Sequence, residues 1–260
     1  MGASKRRFRN PEESLDDYLV VGGPHAVRAL LDGDRPVERL FLTASAPRRA
    51  QSLAEAARQR GIPVSTVGDA ECDRLCGARA QGIAATTRFS YGEHGPVLAA
   101  ARPGDLVVYL DGVTDPHNLG AILRTAAAAG VAGVVLPGRR SAAVTATVVR
   151  VSAGAALSVP VVRTGNLVQA LSEARRAGLW IVGLDHRADR VLAAEIPTMP
   201  HALVVGGEGE GLHRLAAETC HELVRLPMAA GAVESLNASV AAALAIYRMR
   251  ESALYGAPRS

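Results

Sequence analysis

From Asp105 onward, the sequence repeats one pattern, in which a short apolar run alternates with a stretch of helical spacing. Apolar runs this continuous are typical of strands that are buried on both faces, and such strands form parallel sheets between two helix layers. We therefore expect an α/β fold with a largely parallel sheet and helices on both faces. The predicted strands are 106–110, 133–136, 180–184, 202–205 and 223–226, and the predicted helices are 119–129, 144–150, 167–177, 212–218 and 236–250.

The residues before this region predict a smaller α/β unit that ends near Arg88. Helices are expected over 27–31 and 48–60, and strands over 39–43 and 62–67. Residues 89–104 contain three glycines and two prolines, which indicates a linker with at most one helical turn. The predicted division is a basic flexible tail over 1–17, an N-terminal domain over 18–88, this linker, and a C-terminal domain over 105–260.

Charge composition favours an acidic partner such as nucleic acid. The chain has a formal net charge of +4, and Lys5, Arg6, Arg7 and Arg9 in the tail supply as many positive charges. Lys5 is the only lysine, so nearly every cation is an arginine, which grips phosphate through two parallel hydrogen bonds. A GC-rich genome would produce the same preference for arginine, and both explanations stay open.

The remaining composition argues against a membrane protein and against a metal site. No apolar run approaches the roughly 18–20 residues that a membrane-spanning helix needs. The three cysteines have no framework spacing, which is typical of the reducing cytoplasm, and no His or Cys pair completes a four-ligand set. We expect a cytoplasmic protein without a metal.

Three polar clusters follow predicted strands of the second unit, at the edge of a parallel sheet where ligands bind. The first, "DGVTDPHNLGAILRT", places Asn118 near a helix start and Arg124 further along that helix. Taken singly, these residues are more often a helix cap and a surface arginine. The third, "LPMAAGAVESLNAS", has a small-residue loop before a long helix that is expected to begin at Ser235.

The second cluster, "LVVGGEGEGL", resembles a nucleotide-binding turn but carries the wrong chemistry for phosphate. A dinucleotide fold needs glycines spaced G-x-G-x-x-G and bare amides for the pyrophosphate. Here the spacing is G-G-x-G-x-G, and Glu208 and Glu210 would repel phosphate. The loop therefore favours a ligand without phosphate and tolerates a cationic one, and S-adenosylmethionine is both.

The three clusters resemble, in order, the three motifs of the SpoU family, the knotted 2′-O-ribose RNA methyltransferases. The segments "GPHAVRALL" and "AQGIAATT" are also similar to that family's N-terminal substrate-binding domain, which has a ribosomal-protein (L30e-like) fold. The resemblance is closest to enzymes that methylate a guanosine ribose of 23S rRNA. Where those enzymes usually carry a histidine before the Gln-Gly pair, this chain has Ala80, which leaves the target nucleotide open.

The resemblance implies a deep trefoil knot in the C-terminal domain, S-adenosylmethionine as cofactor, RNA as substrate, and a homodimer joined through the C-terminal domain. The residues that it implies for cofactor binding are Leu203, Gly206, Glu208, Gly211, Leu226, Met228, Ser235 and Leu236. The residues that it implies for catalysis are Asn118, Arg124, Glu208, Ser235 and Asn237.

Three other functions share much of this pattern. One is methylation of a tRNA ribose, although the simplest tRNA enzymes of the family lack the N-terminal domain. Another is methylation of rRNA that protects against an antibiotic. The third is a non-catalytic RNA-binding assembly factor, which would not need the polar residues of the three clusters.

Overall fold

The computed structural model describes residues 18–77, 79–192, 199–207, 211–229 and 233–255, which form two β-sheets with helices packed around them. The basic tail predicted over 1–17 lies outside the described residues, and so does Glu208. Within the described ranges, no helix is both long and apolar enough to cross a membrane.

The N-terminal unit is a four-stranded mixed sheet with the strand order β1-β4-β2-β3. Strand β4 runs antiparallel to both of its neighbours, whereas β2 and β3 are parallel. The four helical and strand segments predicted here are present, and the structure adds β1, α3 and β4, for which no ranges were predicted. The elements are β1 (Tyr18–Gly22), α1 (Pro24–Asp32), β2 (Val37–Thr43), α2 (Arg48–Gln59), β3 (Val64–Val67), α3 (Asp69–Cys76) and β4 (Ile83–Arg88).

The C-terminal unit is a six-stranded sheet with the strand order β10-β8-β9-β5-β6-β7, and every neighbouring pair is parallel. The prediction of a parallel α/β sheet is confirmed. Its strands are β5 (Leu106–Asp111), β6 (Gly133–Pro137), β7 (Val161–Thr164), β8 (Trp180–Leu184), β9 (His201–Gly206) and β10 (Glu222–Val224). Its helices are α5 (Pro116–Ala128), α6 (Ala146–Val151), α7 (Leu167–Arg176), α8 (Arg214–Thr219) and α9 (Ala238–Tyr255).

Helices cover both faces of this sheet, as expected for strands that are buried throughout. Side chains that alternate along β5 divide between two cores: Val108 faces α5, α6 and α9, whereas Tyr109 faces α7 and α8. The polar ends of β5 and β9 are therefore left at the carboxyl edge of the sheet, between the two helix layers.

The linker is more ordered than predicted, because it contains helix α4 (His94–Ala100). His94 contacts the Tyr109 hydroxyl at 2.8 Å through Nε2 and the Glu173 carboxylate at 3.0 Å through Nδ1. The hydrogen bond with His94 lowers the pKa of the Glu173 carboxyl. Upstream, the Gly92 amide donates to the Val161 carbonyl at 2.8 Å, so the linker runs along the open edge of β7.

The two units share one apolar core rather than meeting across a polar surface. Gly154 lies so close to α1 that a Cβ at this position would be 2.6 Å from the Ala29 methyl. Beside it, Arg35 Nε donates to the Leu157 carbonyl at 2.9 Å. The N-terminal unit is therefore packed against α6 and the short 3-10 helix that follows it.

Candidate active site at the carboxyl edge of the parallel sheet

The ends of β5 and β9 lie side by side, which brings the first two polar clusters together. Asp111 pairs with Gly206 in the ladder between these strands, and the Gly207 amide donates to the Asp111 carbonyl at 2.8 Å. The third cluster follows β10, two strands away from β9. Leu226 and Ser235 of this cluster nevertheless line the same pocket as Gly206.

A pocket lies where these segments meet, and its walls combine apolar side chains with glycine backbone. The apolar wall consists of Leu184, Val205, Leu226, Met228, Leu236, Ala238 and Ala241. The remaining described surface is formed by Gly206, Gly207, Gly211, His186 and Ser235. The described lining contains no arginine or lysine that could hold a phosphate, so the pocket fits an uncharged ring system better than a nucleotide phosphate.

Six of the residues predicted to bind a cofactor line this pocket: Gly206, Gly211, Leu226, Met228, Ser235 and Leu236. Leu203 does not line it, because its side chain is fully buried within the sheet, three residues before the strand ends. Glu208 lies outside the described residues.

The glycines of the second cluster allow backbone segments to touch. A Cβ on Gly206 would lie 2.3 Å from the Gly211 carbonyl carbon, and one on Gly207 would lie 2.3 Å from the Gly112 carbonyl oxygen. Gly211 has φ +69°, in the left-handed region that side chains rarely adopt. A larger residue at position 207 would therefore push the loop away from the end of β5. A larger residue at position 206 would separate Gly206 from Gly211, the two described ends of the loop.

A contact between Asp111 and His213 that was not predicted fixes the far end of this loop. Asp111 is buried, and its Oδ2 accepts the His213 backbone N–H at 2.8 Å. Its Oδ1 lies 2.9 Å from His213 Nδ1, on a ring that is half exposed. The carboxylate thus fixes both the backbone and the side chain of the residue at which the loop enters α8.

The predicted residues Asn118 and Asn237 are brought together at the start of two helices. Asn237 Nδ2 donates to Asn118 Oδ1 at 3.0 Å, and Asn118 is buried. Asn237 Oδ1 also accepts the amides of Ser239 at 3.0 Å and Val240 at 3.3 Å. Asn237 is therefore the N-cap of α9, which begins at Ala238 and not at Ser235 as predicted, because capping requires a non-helical residue before the first turn.

Asn118 is not a helix cap, which was the simpler alternative for this residue. Helix α5 begins at Pro116, and the Asp115 carboxylate caps it by accepting the His117 amide at 2.9 Å. Asn118 lies in the first turn instead, with its amide turned inward. Its side chain contacts Asn237, the residue that caps α9.

Arg124 is exposed on α5 and makes no hydrogen bond or ion pair with any residue in the described ranges. It lies six positions after Asn118, which corresponds to about 9 Å along the helix axis and a rotation of about 240°. Arg124 therefore lies on a different face of α5 from Asn118. Within one chain, the structure does not bring these two predicted residues into contact.

His186 is a pocket residue that sequence reasoning missed. It follows Asp185, which directly succeeds β8, so the available signal was a polar pair at the end of a fourth apolar strand. Asp185 is buried and accepts from Arg187 Nε at 3.0 Å and Nη2 at 2.8 Å. These hydrogen bonds from Arg187 hold the pKa of the Asp185 carboxyl below its ordinary value despite burial.

In the described residues, no group of three or more His, Cys, Asp or Glu side chains could hold a metal ion.

Comparison with known proteins identifies this arrangement. Residues 105–247 match the model of the SpoU rRNA Methylase family, and residues 20–91 match that of the RNA 2′-O ribose methyltransferase substrate-binding domain. The chain belongs to the SpoU rRNA methylase family.

Two curated SpoU relatives align over most of the chain. The 23S rRNA (guanosine-2′-O-)-methyltransferase RlmB of Photorhabdus laumondii is 42% identical over 88% of this chain and 96% of the relative. RlmB of Bordetella pertussis is 41% identical over 88% of this chain and 95% of the relative.

Solved SpoU structures share the fold. The methyltransferase AviRb of Streptomyces viridochromogenes, in complex with the cofactor AdoMet, has a TM-score of 0.78 and 27% identity, and the match covers 92% of both chains. The TrmH/SpoU tRNA-modifying enzyme of A. aeolicus has a TM-score of 0.52 and 29% identity, and its match covers only 63% of this chain and 84% of that one.

Proposed function

We propose that the protein transfers a methyl group from S-adenosylmethionine to the ribose 2′-hydroxyl of a guanosine in 23S rRNA. The observation that carries the proposal is the pocket of apolar walls and glycine backbone beside the hydrogen bond that Asn237 donates to the buried Asn118. Relatives that are 41–42% identical over most of the chain and are named for this reaction support the choice of substrate. Ribosomal RNA as substrate implies the cytoplasm as the place of action.

The pocket fits the cofactor in its chemistry as well as in its position. Its apolar wall suits the adenine ring, while Ser235, His186 and the glycine backbone offer polar contacts to the ribose and the amino-acid end. When bound, the cofactor supplies a methyl group that is already activated on a sulfonium. We assign cofactor binding to the six predicted residues of the lining, together with Glu208.

The protein's own contribution is chiefly to position the two reactants. Holding the attacking oxygen in line at roughly 3–3.5 Å can supply most of the acceleration of such a displacement. We assign Asn118, Asn237 and Ser235 to orienting the target ribose, because they are adjacent to the pocket. Arginine is a permanent cation and a poor base. We therefore assign Arg124 to gripping the phosphate of the target nucleotide and polarising the hydroxyl.

We further propose a homodimer that is joined through α5 and α9. Helix α9 carries an exposed apolar stripe at helical spacing, in which Val240 is 47% exposed, Leu244 51% and Tyr247 41%. A stripe of this kind is unusual on a surface helix and typical of an interface. Light scattering of the wild-type protein and of Leu244→Glu tests this, since a monomeric wild type at micromolar concentration would contradict it.

The domain limits and the knot are part of the same proposal. The division at 18–88, 89–104 and 105–260, with a tail over 1–17, is supported by the two separate sheets and by the limits of the two family models. The trefoil knot is supported by family membership and by the position of Leu226, Met228, Ser235 and Leu236 around the pocket at the end of β9. Family membership likewise supports the L30e-like fold of the N-terminal domain.

The experiment that tests the function is single-turnover methyl transfer from labelled cofactor to unmodified 23S rRNA fragments, with tRNA as the alternative substrate. Arg124→Ala is expected to lower turnover by about two orders of magnitude, the usual scale for a lost electrostatic group. The matched control is Arg175→Ala, an exposed arginine on α7, which should leave turnover unchanged. Transfer to tRNA alone would favour the tRNA enzyme, and no transfer to either RNA would favour a non-catalytic binder.

A further inference from the structure

The loop between β6 and α6, residues 138–145, carries two adjacent arginines at the carboxyl edge of the sheet. Arg139 and Arg140 are both exposed. Neither makes a hydrogen bond or an ion pair with any residue of the described chain. Strand β6 is the direct neighbour of β5, so these two cations lie on the same edge as the polar clusters of the active site.

This loop is held at three points, and the arginines lie between them. Arg163 Nη2 donates to the Gly138 carbonyl at 2.9 Å. The Ala142 amide donates to the Val113 carbonyl at 2.9 Å, which joins the loop to the segment between β5 and Asn118. The Val144 amide donates to the Tyr91 hydroxyl of the linker, also at 2.9 Å. The two guanidinium groups are therefore presented by a backbone that is already ordered.

The backbone at the tip of the loop is in an unusual conformation. Arg140 has φ +55°, in the left-handed region that few residues other than glycine adopt. The tight turn that results leaves both side chains facing solvent instead of folding one of them against the sheet. The left-handed conformation makes an arginine at position 140 unfavourable for the stability of the loop. Binding of a partner therefore explains this residue better than a structural role does.

We propose that Arg139 and Arg140 form a clamp for the RNA backbone, which binds phosphates next to the target nucleotide. Two cations that no described residue pairs, held on an anchored loop beside the catalytic edge, match the charge of successive phosphates, and arginine contacts phosphate through two parallel hydrogen bonds. The inference rests on the proposed function for the choice of RNA. It adds the surface on which the RNA strand lies as it enters the site.

The test is RNA binding over a series of salt concentrations, using the double variant Arg139→Gln/Arg140→Gly. Glycine at position 140 keeps the left-handed turn available, so the variant removes the charges without straining the loop. We expect the slope of log affinity against log salt to fall by about 1 for each arginine removed. Methyl transfer should show a higher KM for RNA, with kcat within about two-fold and cofactor affinity unchanged.

Two controls separate a phosphate contact from a general loss of charge and from damage to the loop. Arg175→Gln/Arg176→Gln removes the same charge from the end of α7, at the opposite edge of the sheet, and should leave the slope unchanged. Arg139→Lys/Arg140→Lys keeps both charges and should restore the slope. An unchanged slope in Arg139→Gln/Arg140→Gly, or an equal fall in the α7 control, would overturn the clamp. A wild-type protein that binds RNA but methylates none would overturn the proposed function, while the slope would still decide the clamp.

Discussion

Replacing Asn237 should destabilise the protein in two ways, because its amide serves two helices. In Asn237→Ala, helix α9 loses its N-cap, at a cost of about 1 kcal/mol. The buried Asn118 also loses the donor that lies 3.0 Å from its Oδ1, at a further cost of about 1–3 kcal/mol. We therefore expect the free energy of unfolding to fall by about 2–4 kcal/mol, measured by urea denaturation.

Two further substitutions separate these contributions. Asn118→Ala removes the contact between the two amides and keeps the cap, so it should cost about 1–3 kcal/mol. In the double variant the shared contact is lost once, so its cost should be smaller than the sum of the single costs by about 1 kcal/mol. Additive costs would show that the contact contributes nothing, and this outcome would refute the reasoning.

The same position distinguishes folding from catalysis. Asn237→Asp keeps an acceptor for the amides of Ser239 and Val240, and a negative charge at a helix N-terminus is favourable by about 0.3–1 kcal/mol. It should therefore be more stable than Asn237→Ala. Methyl transfer should fall in both variants, because the group offered to the target ribose has changed. Full activity in Asn237→Asp would show that Asn237 only caps the helix.

Three other predictions concern the surroundings of the pocket. His186→Ala should weaken binding of S-adenosylhomocysteine roughly three- to ten-fold, measured by calorimetry, with little change in stability. An unchanged affinity would exclude His186 from cofactor binding. Asp111→Ala loses both contacts to His213 and should lower the free energy of unfolding by about 2–4 kcal/mol, measured by urea denaturation. His213→Ala loses only the side-chain contact and should lower it by about half as much. Equal losses in the two variants would contradict the contribution of the backbone contact. Because the pKa of Asp185 is lowered in the folded state, its ion pair stabilises the protein above the ordinary carboxyl pKa near 3.8 and ceases to do so as the pH falls through the lower, folded value. Asp185→Asn should therefore lose less stability than the wild type between about pH 5 and pH 3, and parallel pH profiles would refute this.

The parallel sheet was predictable because its strands are apolar along their whole length. Strands β5 and β9 were placed within one residue of their observed ends, since Asp111 ends the first apolar run and a pair of glycines ends the second. Strand β7 was missed because it is only four residues long and directly follows Pro160, so no alternation marks it. It is a strand because β6 on one side and the linker on the other supply backbone partners.

The contacts that assemble the site could not be predicted, because they join residues far apart in the chain. Asp111 and His213 are separated by 102 positions, and Asn118 and Asn237 by 119. No local pattern reports such a pair. The family resemblance named Asn118 and Asn237 as site residues without indicating that one bonds to the other. It gave no indication of His213, which contacts Asp111 and thereby holds the loop, and does not line the pocket.

The structure also gives a physical reason for a glycine-rich loop that is not a phosphate site. A phosphate cradle needs amides that point at the ligand without a partner in the protein. Here the Gly207 amide already donates to the Asp111 carbonyl at 2.8 Å, and Gly206 is part of the ladder with β5. The glycines instead let β5, β9 and the returning loop approach to backbone contact. The close-packed glycine backbone therefore forms one side of a pocket that suits an uncharged ring. The Asp111 carboxylate is compatible with this site, because the ligand has no phosphate that it would repel.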